Sequence, residues 1–380
     1  MTLDLRGRVA LVTGAGNGLS RAYARRLAAM GARVVVNDLG GDLRGEGNSP
    51  GPAEAVVAEI REAGGDAVAS VTSVASAEGA EAMVQLAAGE WGRLDIVVNN
   101  AGVVPDREPI DRTSDAEWER VLGVHLHGHI NVLRAAWPHL LASDAGRVVN
   151  TTSSTMLGVA GALTYATAKG GVVGLTRSLA CEARETNIKV NAILPFGSSR
   201  MSNGQFAASF EQQFDLASGE FGQRFTADAV AAGVALLCHP ALPCSGEMFA
   251  IGGGMMARVF LGMTEGSAAG SPDGFLAEWD RVFTPAPFAV LTSSADYKSA
   301  LLGRGQFELG QFQLGLGQAR SGRQEVASVR AAPPPPAITA MPRPGQPGGS
   351  NTPAAWSSDH PPGPTPDSPI AARISVSTYS

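Results

Sequence analysis

Tyr165 and Lys169 stand four residues apart, a spacing that puts both side chains on one face of a helix. A free phenol titrates near ~10, too high for a useful base at neutral pH. An ammonium within a few ångströms favours the phenolate. The pair can therefore take a proton from an alcohol or return one to a ketone, with Tyr165 as the proton carrier and Lys169 lowering its pKa. Far upstream, Thr13-Gly14-Ala15-Gly16-Asn17-Gly18-Leu19-Ser20 follows a β-branched run and opens a helical pattern. Glycines in that context permit a tight turn and let backbone N–H groups approach a pyrophosphate at a helix N-terminus. Asp38 lies 20 residues past Gly18, at the end of the second apolar run. A carboxylate there accepts hydrogen bonds from both ribose hydroxyls and repels a 2′-phosphate, which predicts NAD rather than NADP.

Such residues need a scaffold, and the chain supplies its signature. From Arg8 to about Gly254 short β-branched runs alternate with longer segments of helical periodicity. That alternation predicts an α/β, doubly wound Rossmann fold: a seven-stranded parallel sheet with helices on both faces. The strands are expected at Val9–Val12, Arg33–Val36, Ala67–Val71, Ile96–Val98, Arg147–Asn150, Lys189–Ile193 and Met248–Ile251. Leu19, Tyr23, Leu27 and Met30 recur at helical spacing, and Gly31 is placed to stop that helix. Ser114 and Glu117 have the spacing of a capping box at the start of another. Beyond Gly254 the pattern fades. Phe275 to Phe283 could form one amphipathic helix, and 13 of the 24 prolines fall between Ala331 and Ser380. The chain thus divides into a Rossmann domain (1–258), a C-terminal extension with room for one helix (259–303) and a Gly/Gln/Pro-rich tail (304–380), whose composition predicts a largely disordered segment.

Composition narrows the function classes. A net charge of -6 gives no footprint for nucleic acid, which needs clustered Lys and Arg. Cys181, Cys238 and Cys244 are odd in number and lack a CxxC spacing, so neither a disulfide framework nor a zinc site is implied. His125 and His129 have the spacing of a helical metal pair, but no HExxH and no nearby carboxylate accompanies them, so no metal is expected. Neither a signal peptide nor a membrane span is visible, and a cytoplasmic protein is the expectation.

Thr13-Gly-x-x-x-Gly18-Leu19, Asn99-Asn100-Ala101-Gly102 and Tyr165-x-x-x-Lys169 together resemble the short-chain dehydrogenase/reductase family over roughly Leu3 to Arg258. Asn37 to Asp42, Val124 to Gly128, Arg134 to Trp137 and Ser199 to Met201 look like the dehydrogenase domain of the peroxisomal multifunctional enzymes of type 2 and their stand-alone bacterial relatives. That group oxidises 3-hydroxyacyl-CoA thioesters, and some members oxidise steroid alcohols. The resemblance implies cofactor contacts at Gly14, Asn17, Gly18, Leu19 and Asp38. It implies others at Ser73, Val74, Asn99, Ala101 and Gly102, and at Tyr165, Lys169, Pro195 and Gly197. A catalytic hydroxyl is implied beside Tyr165. Counting from Arg147 at the head of the fifth strand gives Ser153, counting back from Tyr165 gives Thr152, and Ser154 stays open as well. His125 stands where many members carry an Asn that supports a water chain from the lysine, which implies a proton relay or a structural imidazole. Ser20 replaces the usual third glycine, and Thr72 an Asp that often contacts adenine. A homodimer or homotetramer is implied. The alternatives are an NADPH-dependent 3-oxoacyl-carrier-protein reductase and a non-catalytic dinucleotide-binding regulator.

Overall fold

Val-rich strands that alternate two apolar faces need cover on both sides, and the computed structural model shows how this chain supplies it. It describes residues 3–197, 224–264, 266–283, 288–291 and 309–310. β1 (Val9–Thr13) is buried along its whole length. Val9 and Leu11 point into one core cluster, while Ala10 and Val12 point into the other. The same division runs through β2 (Arg33–Asn37) and β4 (Ile96–Asn99), because successive side chains leave a strand on opposite sides. One face is covered by α1 (Gly18–Ala29), α2 (Gly51–Glu62) and α7 (Ala227–Leu237), through Tyr23, Leu27, Val56, Ile60, Val230 and Val234. The other is covered by α3 (Ala77–Trp91) and α5 (Gly128–Ala142), through Met83, Val84, Val132, Leu133 and Leu140.

β3 (Asp66–Ser70), β5 (Arg147–Thr151), β6 (Lys189–Pro195), β7 (Met248–Gly252) and β8 (Met255–Val259) complete one sheet of order β3-β2-β1-β4-β5-β6-β7-β8. The first seven strands in sequence are parallel, as the alternation predicts. The expected count of seven falls one short: β8 returns antiparallel to β7 after a two-residue turn at Gly253 and Gly254, both with positive φ. Its residues are largely exposed, so no alternation of apolar and polar side chains marks them as a strand. Because β1 lies between β2 and β4, the chain direction switches there and a crevice opens beyond the carboxyl ends of β1 and β4.

In the extension, β9 (Leu261–Thr264), β10 (Phe288–Leu291) and β11 (Leu309–Gly310) make a small antiparallel sheet. The single amphipathic helix expected from Phe275 to Phe283 is instead two short ones, α8 (Pro272–Ala277) and α9 (Trp279–Phe283), separated at Glu278. The tail from 311 and residues 198–223, which include the Ser199 to Met201 motif, lie outside the described residues. Among the described residues no helix is long and apolar enough to cross a membrane.

The amino ends of the central strands are tied by a carboxylate rather than by apolar contact. Asp95, 0% exposed, accepts from Val9 N at 2.9 Å and from Ser143 Oγ at 2.6 Å. Arg93 Nε and Nη2 also donate to it, at 2.8 and 2.6 Å. Its own backbone joins β1 and β5, through Val9 O and Arg147 N. Burial alone would raise its pKa, but the hydrogen bonds from Arg93, Ser143 and Val9 outweigh that and hold it below the usual carboxylate value. Because the folded state binds this proton less readily than the unfolded chain, the stabilisation is complete above about pH 4 and is lost as pH falls through the lowered native pKa. Asp95→Ala is expected to lower the unfolding free energy by about 3 kcal/mol at pH 7, read by urea titration, since it strips a buried partner from several donors.

Candidate active site

The crevice is shaped by two backbones in close approach. Gly14 has φ of 66°, and a Cβ built on it would stand 2.8 Å from Ala101 Cα, so only glycine fits. Thr13 Oγ1, at the end of β1, accepts from the Asn100 and Ala101 N–H groups at 3.0 and 3.1 Å. Asn100 donates from Nδ2 to Ser20 Oγ at 3.0 Å, and its Oδ1 accepts from Thr151 Oγ1 at 3.0 Å. Ser20 Oγ donates in turn to Gly14 O at 2.5 Å. The serine in place of the third glycine therefore bridges the loop after β1 to the loop after β4.

The cradle matches a dinucleotide in its donors. Asn17 makes no side-chain hydrogen bond to the first turn of α1, and that turn contains no acidic residue, so its N–H groups point to the crevice uncapped. Gly18 has φ of 57°, and Gly197 packs so that an added Cβ would meet Leu19 Cδ2 at 3.2 Å. Asp38, 8% exposed, accepts from Gly16 N at 2.8 Å and from Gly40 N at 2.7 Å, which fixes its carboxylate at the lip of the glycine loop. Val74 is buried against Gly128, where an added Cβ would stand 2.8 Å from Val74 Cγ2. Ser73 Oγ accepts from Ala75 N, and Thr72 Oγ1 is spent on Gly79 O at 2.8 Å. Pro195 ends β6 and pairs with Ile251.

On the other side of the crevice four of the expected residues converge. α6 (Leu163–Glu182) carries Tyr165 and Lys169, and the lysine Nζ lies 5.5 Å from the centre of the tyrosine ring. Lys169 is 1% exposed and donates to Thr151 O at 2.7 Å. Ser153 caps the 3-10 turn Ser154–Leu157 and hydrogen-bonds the Tyr165 hydroxyl. Its rivals are placed otherwise: Thr152 is buried and donates to Lys169 O at 2.7 Å, and Ser154 is exposed. His125 lies in a π turn, Gly123–His127, that joins α4 (Asp115–Leu122) to α5. Its ring meets that of Tyr165 edge-on at 4.8 Å. Its Nε2 lies 3.0 Å from Val103 N and 2.8 Å from Val103 O.

Burial governs the protons here. Desolvation pushes the Tyr165 phenol up to about 12, against the Ser153 hydrogen bond, which lowers it. Desolvation brings the Lys169 ammonium down to about 7. The expectation of a phenol lowered by its lysine is thus reversed in the protein alone, because removal from water disfavours both charged forms. His125 and His129 are held well below the ordinary imidazole value by burial first and by the charge of Lys169 second, so both are neutral at pH 7. Among the described residues no group of three or more His, Cys, Asp or Glu side chains could hold a metal ion.

Asn99 ends β4 with its Nδ2 donating to Asn150 Oδ1 at 3.1 Å, and Asn150 Nδ2 donates to Thr176 Oγ1 at 3.0 Å. Asn150 and Thr151 have no role assigned by the sequence motifs, and Thr13 appears there only as the first residue of the glycine motif. Their signal is only that polar residues end otherwise apolar strands, which has meaning once the strand ends are seen to converge. Gly102 allows the chain to pass the imidazole: an added Cβ would stand 2.4 Å from His125 Cε1. Gly102→Ala is expected to cost about 1–3 kcal/mol of stability by overpacking, measured by denaturant unfolding, and to weaken catalysis with it.

A profile of the short chain dehydrogenase family matches residues 8–205. A putative short-chain type dehydrogenase/reductase of Mycobacterium tuberculosis is 41% identical over 266 residues, 70% of this chain and 89% of that protein. Peroxisomal multifunctional enzyme type 2 of Mus musculus is 38% identical over 283 residues, 73% of this chain and 36% of the enzyme, so the chain spans little more than a third of that relative. A hydroxyacyl-CoA dehydrogenase of Mycobacterium tuberculosis is 39% identical over 217 residues, 55% of this chain and 67% of its own. Among solved structures, a short chain dehydrogenase from Mycobacterium avium superposes with a TM-score of 0.61 at 35% identity, covering 74% of this chain and 98% of that one. A short chain dehydrogenase from Burkholderia cenocepacia in complex with NADP gives 0.57 at 32% identity, covering 66% and 98%. The chain belongs to the short-chain dehydrogenase family.

Proposed function

We propose that the chain is an NAD-dependent oxidoreductase that interconverts a secondary alcohol and a ketone, with a 3-hydroxyacyl-CoA or a steroid-like hydroxyl compound as substrate. The observation that carries this reading is the Ser153–Tyr165 hydrogen bond set above buried Lys169, across the crevice from the glycine loop. The substrate class is supported by relatives named for hydroxyacyl-CoA dehydrogenation and for multifunctional peroxisomal enzymes.

A bound nicotinamide dinucleotide would supply the hydride acceptor for oxidation and the donor for reduction. It would be held by the glycine loop from Gly14 to Leu19, by Asp38, by the Ser73–Val74 and Asn99–Gly102 segments, by Lys169 and by the Pro195–Gly197 turn. The chain's own groups handle the proton and the orientation. Ser153 donates to the substrate oxygen and holds it beside Tyr165. In oxidation the Tyr165 phenolate would accept the hydroxyl proton as the carbinol C–H bond breaks, and in reduction the Tyr165 phenol would give a proton to the carbonyl oxygen. Lys169 favours the phenolate by its charge, and His125, neutral and wedged edge-on, holds the phenol ring in place.

Asp38 supports NAD. Its carboxylate is pinned by two backbone donors and cannot swing aside for a 2′-phosphate without losing both. The NADP held by the Burkholderia cenocepacia protein keeps the NADPH-dependent reductase as the competing reading. Comparing kcat/KM for NAD and NADP decides between them: a preference for NAD of at least ~100-fold is expected, about 2.7 kcal/mol at 1.36 kcal/mol per decade, and a preference for NADP overturns it. Tyr165→Phe is expected to lower kcat by about 10²–10⁴-fold, measured by NADH absorbance on hydroxyacyl-CoA and hydroxysteroid substrates, with little change in cofactor affinity. Undiminished turnover in that variant would overturn the mechanism. Since Tyr165 is a phenol up to about 12 in the protein alone, oxidation is expected to accelerate as pH rises from neutrality, and ketone reduction to slow at alkaline pH as the proton donor is lost.

A further inference from the structure

Ser114 and Glu117 have the spacing of a capping box, yet only half of one forms. Ser114 Oγ accepts from Glu117 N at 3.2 Å, whereas the Glu117 carboxylate turns away from its own helix end. It accepts from Asp106 N at 2.7 Å and from Arg120 Nε and Nη2 at 3.1 and 2.6 Å, although it is only 5% exposed. The fork of Arg120 then reaches further, with Nη1 donating to Arg44 O at 3.1 Å and Nη2 to Val104 O at 2.9 Å. Arg44 pairs through its guanidinium with both carboxylate oxygens of Asp106. Val104 N donates to Leu43 O at 2.7 Å, and a Cβ on Gly45 would stand 2.8 Å from Val103 Cγ1.

These contacts join two loops that serve opposite ends of the crevice. Residues 39–50 begin beside Asp38, whose carboxylate holds Gly16 N and Gly40 N, and close on themselves where Ser49 N donates to Leu39 O at 3.0 Å. Residues 100–114 carry Val103, whose backbone holds His125 Nε2 and, through that ring, the edge of Tyr165. We infer that Glu117 and Arg120 are positioning residues that bind these loops into one body, so that occupation of the ribose end at Asp38 orders the segment that sets His125 against Tyr165. The inference rests on the dinucleotide reading of the site. A planar fork is required because one guanidinium must meet a carboxylate and two carbonyls at once; an ammonium at this point cannot span them. Charge pairing with Glu117 offsets the cost of removing both groups from water.

Hydrogen–deuterium exchange on the full chain tests this, with ADP as the probe because it carries the adenosine ribose and diphosphate but no nicotinamide. In the wild-type protein ADP is expected to slow exchange of amides in 39–50 and also, by at least about fivefold, in 103–106, the lower end of typical coupling between sites. Glu117→Gln and Arg120→Lys are expected to keep the slowing in 39–50, lose it in 103–106, and lower kcat with a smaller effect on KM for NAD. If the buried variants fail to fold, Arg44→Ala at the exposed end of the network carries the test, with reduced slowing at Asp106 expected. Wild-type slowing confined to 39–50, or slowing at 103–106 that survives in all foldable variants, overturns the coupling. Slowing nowhere means that ADP does not bind, and overturns the dinucleotide reading on which the coupling depends.

Discussion

The contact between Gly14 and Ala101 organises the rest of the molecule. Two strands that run parallel and side by side, β1 and β4, send their chains to opposite faces of the sheet, and their first loop residues must pass within van der Waals distance before they part. Thr13 Oγ1 holds that crossing by accepting from two successive amides of the other loop. Everything functional hangs from it. On one side the glycine loop opens towards α1 and Asp38; on the other the chain runs through Gly102 and Val103 to the imidazole that buttresses Tyr165. A side chain at position 14 would separate the two halves of the crevice.

Burial then sets the chemistry that these positions can do. Lys169 is buried, and its Nζ donates a hydrogen bond to a backbone carbonyl, Thr151 O, rather than to a carboxylate. Desolvation therefore acts on the lysine, the tyrosine and both histidines in the same sense, towards neutrality. Burial thus keeps the Tyr165 phenol protonated and both imidazoles neutral at pH 7, and brings the Lys169 ammonium down towards neutrality. Charge is concentrated elsewhere: at the amino ends of the strands, where Asp95 meets Arg93, and at the outer rim, where Glu117 and Arg120 tie two loops together.

Much of this was legible in residue types and spacing. The strand runs, the glycine loop, Asp38 and the Tyr165–Lys169 spacing are local patterns, and the seven parallel strands follow from β-branched runs broken by helical periods. β8 escaped because an exposed strand at a sheet edge has no apolar face to reveal it. The helix from Phe275 to Phe283 divided at Glu278, since spacing alone does not report where a short helix loses its backbone partners. Ser114 signalled the start of α4 correctly, while the partner of Glu117 lay in a loop that spacing cannot see.

By itself, then, the sequence determined the seven parallel strands, their order along the chain and the residue types at their ends, because these depend on neighbours a few positions away. The tertiary structure decided which of three adjacent hydroxyls meets Tyr165, by spending Thr152 on the backbone of α6 and leaving Ser154 in solvent. It also decided the direction in which the tyrosine and lysine titrate. Both outcomes depend on hydrogen-bond partners and loss of water contributed by segments distant along the chain, and no local spacing encodes them.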